Sequence, residues 1–240
     1  MEEINRQEEI EKRYQDVAEK IQEAALKVGK NPKDINLVVV TKQKSAVVDK
    51  YLADLGLLDM GESYLKEAEF KIEILKEYPI RWHMIGNIQR GKEREVAHYF
   101  DMVHSVDNYE VAERLNQSCK ENGKIMPIFL ECNVSGESTK AGWNVVNDKE
   151  WPIFVEEIKQ VLDLDHLKLL GLMTMAPYST EPEDARPFFR KLKSLLNYIN
   201  QKFPQQEINE LSMGMSGDFQ VAIEEGATYL RIGSAIVGKR

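Results

Sequence analysis

Asn36-Leu37-Val38-Val39-Val40-Thr41-Lys42, NLVVVTK, is a continuous β-branched run that ends on a hydroxyl and an amine. A strand that is apolar on both faces belongs in a parallel sheet covered by helices, because an antiparallel sheet with one wet face alternates instead. Upstream, Ile10, Tyr14, Val17, Ile21, Ala24 and Val28 recur at steps of three and four, which predicts an amphipathic helix. Gly29 and Asn31-Pro32 stop that helix before the strand begins.

Downstream the same alternation repeats. Strand-like runs are predicted at 36–42, 57–60, 81–85, 102–105, 126–132, 167–172, 208–212 and 228–232, with helical patterns between them. The helices are expected over 45–55, 62–78, 89–99, 107–122, 151–162, 182–199 and 218–225. Asp107 reads as an N-cap, Pro182 as a first helical residue, and Asn133 to Trp143 as a polar loop. Eight alternating units predict a (β/α)8 TIM barrel of α/β class formed as a single domain over residues 1–240, with an extra N-terminal helix. The eighth unit is short, and the N-terminal helix is expected to cover the gap it leaves. A doubly wound open sheet is the competing arrangement that pattern alone leaves open.

Composition narrows the function. Thirty-two Lys+Arg against 40 Asp+Glu give a net charge of −8, which disfavours a nucleic-acid partner, since a phosphate backbone needs a basic face. No apolar run approaches the roughly 20 residues that span a bilayer, and the polar, acidic start MEEINRQEEIEKRYQ resembles no targeting segment, so a cytoplasmic protein without a membrane partner is expected. Cys119 and Cys132 have no metal spacing, and two thiols fit a reducing compartment. The four histidines, His83, His98, His104 and His166, show no metal-ligand spacing either, and no hydrolase signature is present.

In such a barrel the chemistry lies at the carboxyl ends of the strands. The runs SMGMSGD (212–218) and RIGSAIVG (231–238) follow the seventh and eighth strands and precede helices. Glycines let backbone N–H groups approach an anion, and barrels commonly dock phosphate there. Turn glycines joining strand to helix are the plainer alternative for either run alone. Lys42 closes the first strand, where a partly desolvated amine can form a Schiff base with a carbonyl; Lys44, two residues on, competes with it for that role. His83 is the one histidine placed near the mouth, with a hydrogen-bonded core histidine as the alternative. Met173, Met175, Met213 and Met215 read as rim packing.

The runs LVVVTKQK (37–44), GESYLKEAEFKI (61–72), WHMIGNIQRGK (82–92), CNVSGESTKAG (132–142), GLMTMAP (171–177) and LSMGMSGDFQVAIEEGATYLRIGSAIVG (211–238) resemble the pyridoxal-phosphate homeostasis proteins, also called the YggS/PROSC family. The similarity runs from about residue 10 to residue 238. It implies a barrel like the N-terminal domain of bacterial alanine racemase, a fold type III pyridoxal 5'-phosphate (PLP) protein. It further implies that Lys42 carries PLP as a Schiff base. Ser216, Gly233 and Ser234 match the positions that hold the phosphate, Arg231 matches the partner of the pyridine nitrogen, and His83 and Met175 match residues lining the ring pocket. The family usually reads GENY where this chain reads Gly61-Glu62-Ser63-Tyr64, so Ser63 brings a hydroxyl where an amide is usual. The implied function is cellular vitamin B6 homeostasis without catalytic turnover, by a protein expected to be monomeric, with PLP and PLP-dependent apo-enzymes as partners. An amino-acid racemase is the alternative. The racemases that the barrel resembles carry a second, β-rich domain with the opposite-face base, whereas here the sequence ends with the barrel.

Overall fold

The computed structural model describes residues 2–239, so Met1 and Arg240 of the expected 1–240 unit lie outside the described residues. The strands are β1 (Asn36–Val40), β2 (Asp59–Glu62), β3 (Arg81–Met84), β4 (Met102–Val106), β5 (Met126–Asn133), β6 (Trp143–Asn144), β7 (Leu167–Met173), β8 (Glu210–Ser212) and β9 (Tyr229–Ile232). The helices are α1 (Glu2–Lys27), α2 (Ala46–Asp54), α3 (Leu65–Ile74), α4 (Glu93–Tyr99), α5 (Tyr109–Glu121), α6 (Trp151–Leu162), α7 (Arg186–Lys202), α8 (Phe219–Glu224) and α9 (Ser234–Val237). β1 pairs with β2 on one side and β9 on the other. The ring continues through β3, β4, β5, β7 and β8 back to β9, with every pairing parallel. This is the closed (β/α)8 barrel, and the doubly wound sheet is excluded by its closure between β4 and β5.

β1 reads as expected because Val38 and Val39 are fully buried between the barrel interior and the helical layer. α1 lies along α8 and α9, covering the short final unit as expected; Ile10, Val17, Ile21, Ala24 and Ala25 form its buried face. α9 is a single turn, too short to close that side itself.

Several boundaries depart from the sequence expectation. The second strand runs over 59–62 instead of 57–60, and the helix expected from Glu62 begins at Leu65. Glu62, expected as the first helical residue, instead ends β2 and is fully buried, paired with Lys71 of α3. Asn108, not Asp107, caps α5, its side chain accepting the N–H of Val111. Pro182 opens a single 3₁₀ turn over Pro182–Ala185 ahead of α7. The polar loop after the fifth strand ends in β6, which pairs with the tip of β5 at Cys132 and Asn133. Trp143 anchors that strand, its ring against Phe154 and its indole N–H donating to Glu157.

Candidate functional site

A cavity of about 450 Å³ opens at the carboxyl ends of the strands, within the range of small-molecule sites. Lys42, Met175, Ser216, Arg231, Gly233 and Ser234 line it together, drawn from the ends of β1, β7, β8 and β9. These are six of the eight residues singled out from sequence. The loop 176–182 covers one side, with Tyr178 almost wholly exposed at its tip.

The candidate anion cradle is built from two loops. Ser216 Oγ accepts the N–H of Gly233 at 3.3 Å and of Ala235 at 3.2 Å. Its hydroxyl thus occupies the donors at the start of α9, which are the groups a phosphate oxygen takes in such loops. The fold of the first loop depends on Gly214, at φ 95°, where an added Cβ would come within 2.6 Å of Ala222 Cβ. Asp218 secures the same loop by accepting the N–H of Met215 at 2.6 Å.

Arg231 enters the cavity from β9 and is 4% exposed. Its NH1 donates to Ser212 Oγ at 2.6 Å and its NH2 to the carbonyl of Thr174 at 2.9 Å. Burial pulls its pKa down to about 10 while Glu131 and Asp218 hold it up, so the guanidinium stays charged at neutral pH. Glu131 itself is pushed up to about 7 by burial, with Asp107 adding to the effect.

Lys42 Nζ donates to Ser63 Oγ at 3.3 Å. Ser63 lines a neighbouring hollow with Tyr64, Asn87 and Lys92, and it is set against the β3 loop by Gly86, where a Cβ would fall 2.4 Å from Ser63 O. Lys44 Nζ donates to the carbonyl of Lys239 at 2.9 Å, so both candidate lysines line the same cavity.

His83 does not line this cavity. It is the inward-facing residue of β3, 1% exposed, with Nε2 2.9 Å from Asp59 Oδ1 and Nδ1 2.9 Å from His104 Nε2. It lines a hollow with Asn36, Asp59, Arg81 and Tyr229 at the amino-terminal ends of the strands, which counting to the strand end did not resolve.

Behind Lys42 lies a buried ionic cluster that sequence reading did not find. Lys71 Nζ donates to the Thr41 carbonyl at 2.8 Å and to Glu62 Oε1 at 2.6 Å, and lies 3.2 Å from Asp49 Oδ2 and 3.4 Å from Glu67 Oε1. Thr41 Oγ lies 2.5 Å from Asp49 Oδ1 and 2.9 Å from Glu62 Oε1. Burial pushes Asp49 up to about 6 and Glu62 up to about 7, with the Lys71 ammonium opposing both. One hydroxyl proton cannot serve two carboxylates, so the second short contact fits a proton retained on one of them. The cluster grips the backbone on both sides of Lys42: Glu67 also accepts the N–H of Gln43, at φ 62° the one non-glycine residue with positive φ among the described residues. The signal was present in α3, where Lys71 takes the core position between Ala68 and Leu75.

Comparison with known proteins places this arrangement. The family model described as alanine racemase, N-terminal domain, matches residues 14–240. The pyridoxal phosphate homeostasis protein of Pseudomonas aeruginosa is 38% identical over 93% of both chains. That of Aquifex aeolicus is 36% identical over 93% of this chain and 95% of its own. The chain belongs to the pyridoxal phosphate homeostasis protein family. Among solved structures, PipY of Synechococcus elongatus PCC7942 with PLP bound is a member with 30% identity and a TM-score of 0.79, covering 92% of this chain and all of its own. An alanine racemase of Clostridium difficile shares the barrel at 14% identity with a TM-score of 0.69, and this homeostasis-family chain covers 56% of its length. No helix among the described residues is long and apolar enough to cross a membrane.

Proposed function

We propose that residues 1–240 act as one PLP-binding barrel that holds the cofactor on Lys42 as a Schiff base and serves vitamin B6 homeostasis without catalytic turnover. The observation that carries this reading is the meeting of an amine, a charged guanidinium and a backbone anion cradle around one cavity. The donor set suits PLP, which presents an aldehyde, a ring nitrogen and a dianionic phosphate. PipY, a family member, is described with PLP bound. When bound, PLP supplies an electrophilic aldehyde that condenses with the Lys42 amine, a C=N bond forming and water leaving.

The protein's own residues do the rest. Ser216, Gly233 and Ser234 receive the phosphate, the Ser216 hydroxyl turning from acceptor to donor as the phosphate takes its N–H partners. Arg231 donates toward the ring nitrogen; a guanidinium has no acceptor, so that nitrogen stays unprotonated and the ring is a weak electron sink. Met175 covers the ring, and Ser63 keeps the Lys42 amine oriented. A weak sink suits carriage better than amino-acid chemistry. Release to PLP-dependent apo-enzymes in the cytoplasm, by a monomer, completes the reading.

The test has two arms. PLP-loaded protein incubated with L-alanine is expected to yield no D-alanine on chiral analysis; a steady D-alanine yield would instead establish a racemase. Lys42→Ala is expected to abolish the cofactor's visible band.

A further inference from the structure

A line of polar side chains runs through the barrel from Arg231 to the opposite end. Arg231 NH1 donates to Ser212 Oγ at 2.6 Å, Ser212 Oγ lies 2.7 Å from His104 Nδ1, and His104 Nε2 lies 2.9 Å from His83 Nδ1. His83 Nε2 reaches Asp59 Oδ1 at 2.9 Å, and Asp59 pairs with Arg81 at the amino-terminal end of the strands. Ser212, His104 and His83 are each 1% exposed or less.

The ends of the line fix its direction. A guanidinium can only donate, so the Ser212 oxygen accepts there and its O–H goes to its other partner among the described residues, His104 Nδ1. His104 then carries its proton on Nε2 and donates to His83 Nδ1. His83 carries its proton on Nε2 and donates to the Asp59 carboxylate. Burial holds the His104 imidazole well below its usual range, with His83 and Arg231 adding to the effect, as a neutral ring requires. Burial raises Asp59, but its bonds from His83 and Arg81 outweigh that and hold it in the acceptor form. His104 packs against Phe129, ring centroids 4.6 Å apart, and edge-on to Tyr229, which holds the plane of its ring. The other charged groups facing Arg231, Glu131 and Asp218, make no hydrogen bond to it and leave its orientation to Ser212 and Thr174.

We propose that Asp59, His83 and His104 are positioning residues that act through Ser212 on Arg231, a one-way chain of four hydrogen bonds that fixes the guanidinium toward the cofactor ring. Each bond polarises the next, so the Asp59 charge makes the Ser212 oxygen a better acceptor three hydrogen bonds away. The proposal rests on the PLP reading only for what Arg231 faces; the chain itself belongs to the cofactor-free protein.

Two measurements test it. ¹⁵N imidazole NMR of the cofactor-free protein is expected to show His83 and His104 both neutral with the proton on Nε2; an Nδ1–H tautomer or a doubly protonated ring at either position overturns the chain. The second compares His104→Leu with His104→Gln, whose amide accepts at one end and donates at the other. His104→Leu is expected to move the visible band of PLP-loaded protein in the direction that Arg231→Leu moves it, with PLP affinity within about tenfold of the parent, ~1.4 kcal/mol. His104→Gln is expected to restore the parental band. A band unmoved in His104→Leu, or moved equally in both variants, refutes the positioning role while leaving PLP binding intact. Absence of the band in the parent protein would refute the PLP reading instead and leave the NMR result standing.

Discussion

At the residue scale, the chemistry of Lys42 depends on neighbours that never touch the cavity. Among the described residues, Lys71 is the one cation paired within the carboxylate cluster, and it bonds the carbonyl immediately before Lys42. Lys71→Met leaves buried carboxylates unpaired, and a loss of ~3–5 kcal/mol in denaturant unfolding is expected. The sign of the pH dependence is the reverse of an ordinary ion pair. Glu62 has its folded pKa raised to about 7 from 4.5, mainly by burial. The folded state therefore binds its proton more tightly than the unfolded chain, and this contribution to stability is fully present below about pH 4.5 and lost as pH rises toward about 7. Glu62→Gln, which mimics the protonated form, is expected to flatten the Tm profile across that window; a profile as steep as the parent's would contradict the assignment. Gln43, held at φ 62°, carries the strain of a left-handed residue. Gln43→Gly is expected to gain ~1 kcal/mol in unfolding free energy.

At the element scale, the cradle rests on β8, β9 and the short helices after them. Gly214→Ala would force a Cβ within 2.6 Å of Ala222 at a positive φ, so lower PLP affinity and a lower Tm are expected together. α1 closes the side that the single-turn α9 leaves open. Truncating its buried Ile21 to Ala is expected to cost ~2–4 kcal/mol, measured by urea unfolding. The strands were legible because buried runs such as 36–40 and 126–132 are apolar along most of their length, with no alternation to confuse them. Lys42, Ser216 and Arg231 were legible because they sit at or near strand ends. The buried partners of Glu62, Lys71, His83 and His104 were not. Each of these four is a polar residue buried by a partner on another element, and a sequence gives no distance between residues 62 and 71, or 104 and 212, in the folded barrel. Local pattern assigned Glu62 to the start of a helix for the same reason.

At the scale of the whole molecule, the barrel brings together an amine, an anion cradle and a guanidinium from the first and last thirds of the chain, because β1 and β9 are neighbours. Val38 stands beside Arg231 in that pairing, and Lys42 follows the same strand upward to the mouth. Ring closure therefore creates the site, and the ionic cluster behind β1 and the polar line through the interior each hold one of its two basic groups. The most direct test of the account is intact mass of the protein incubated with PLP, before and after borohydride reduction, followed by peptide mapping. The expected result is a single reduced adduct per chain, confined to Lys42. A protein that gains no mass, or one whose adduct maps to Lys44 and not Lys42, would contradict it.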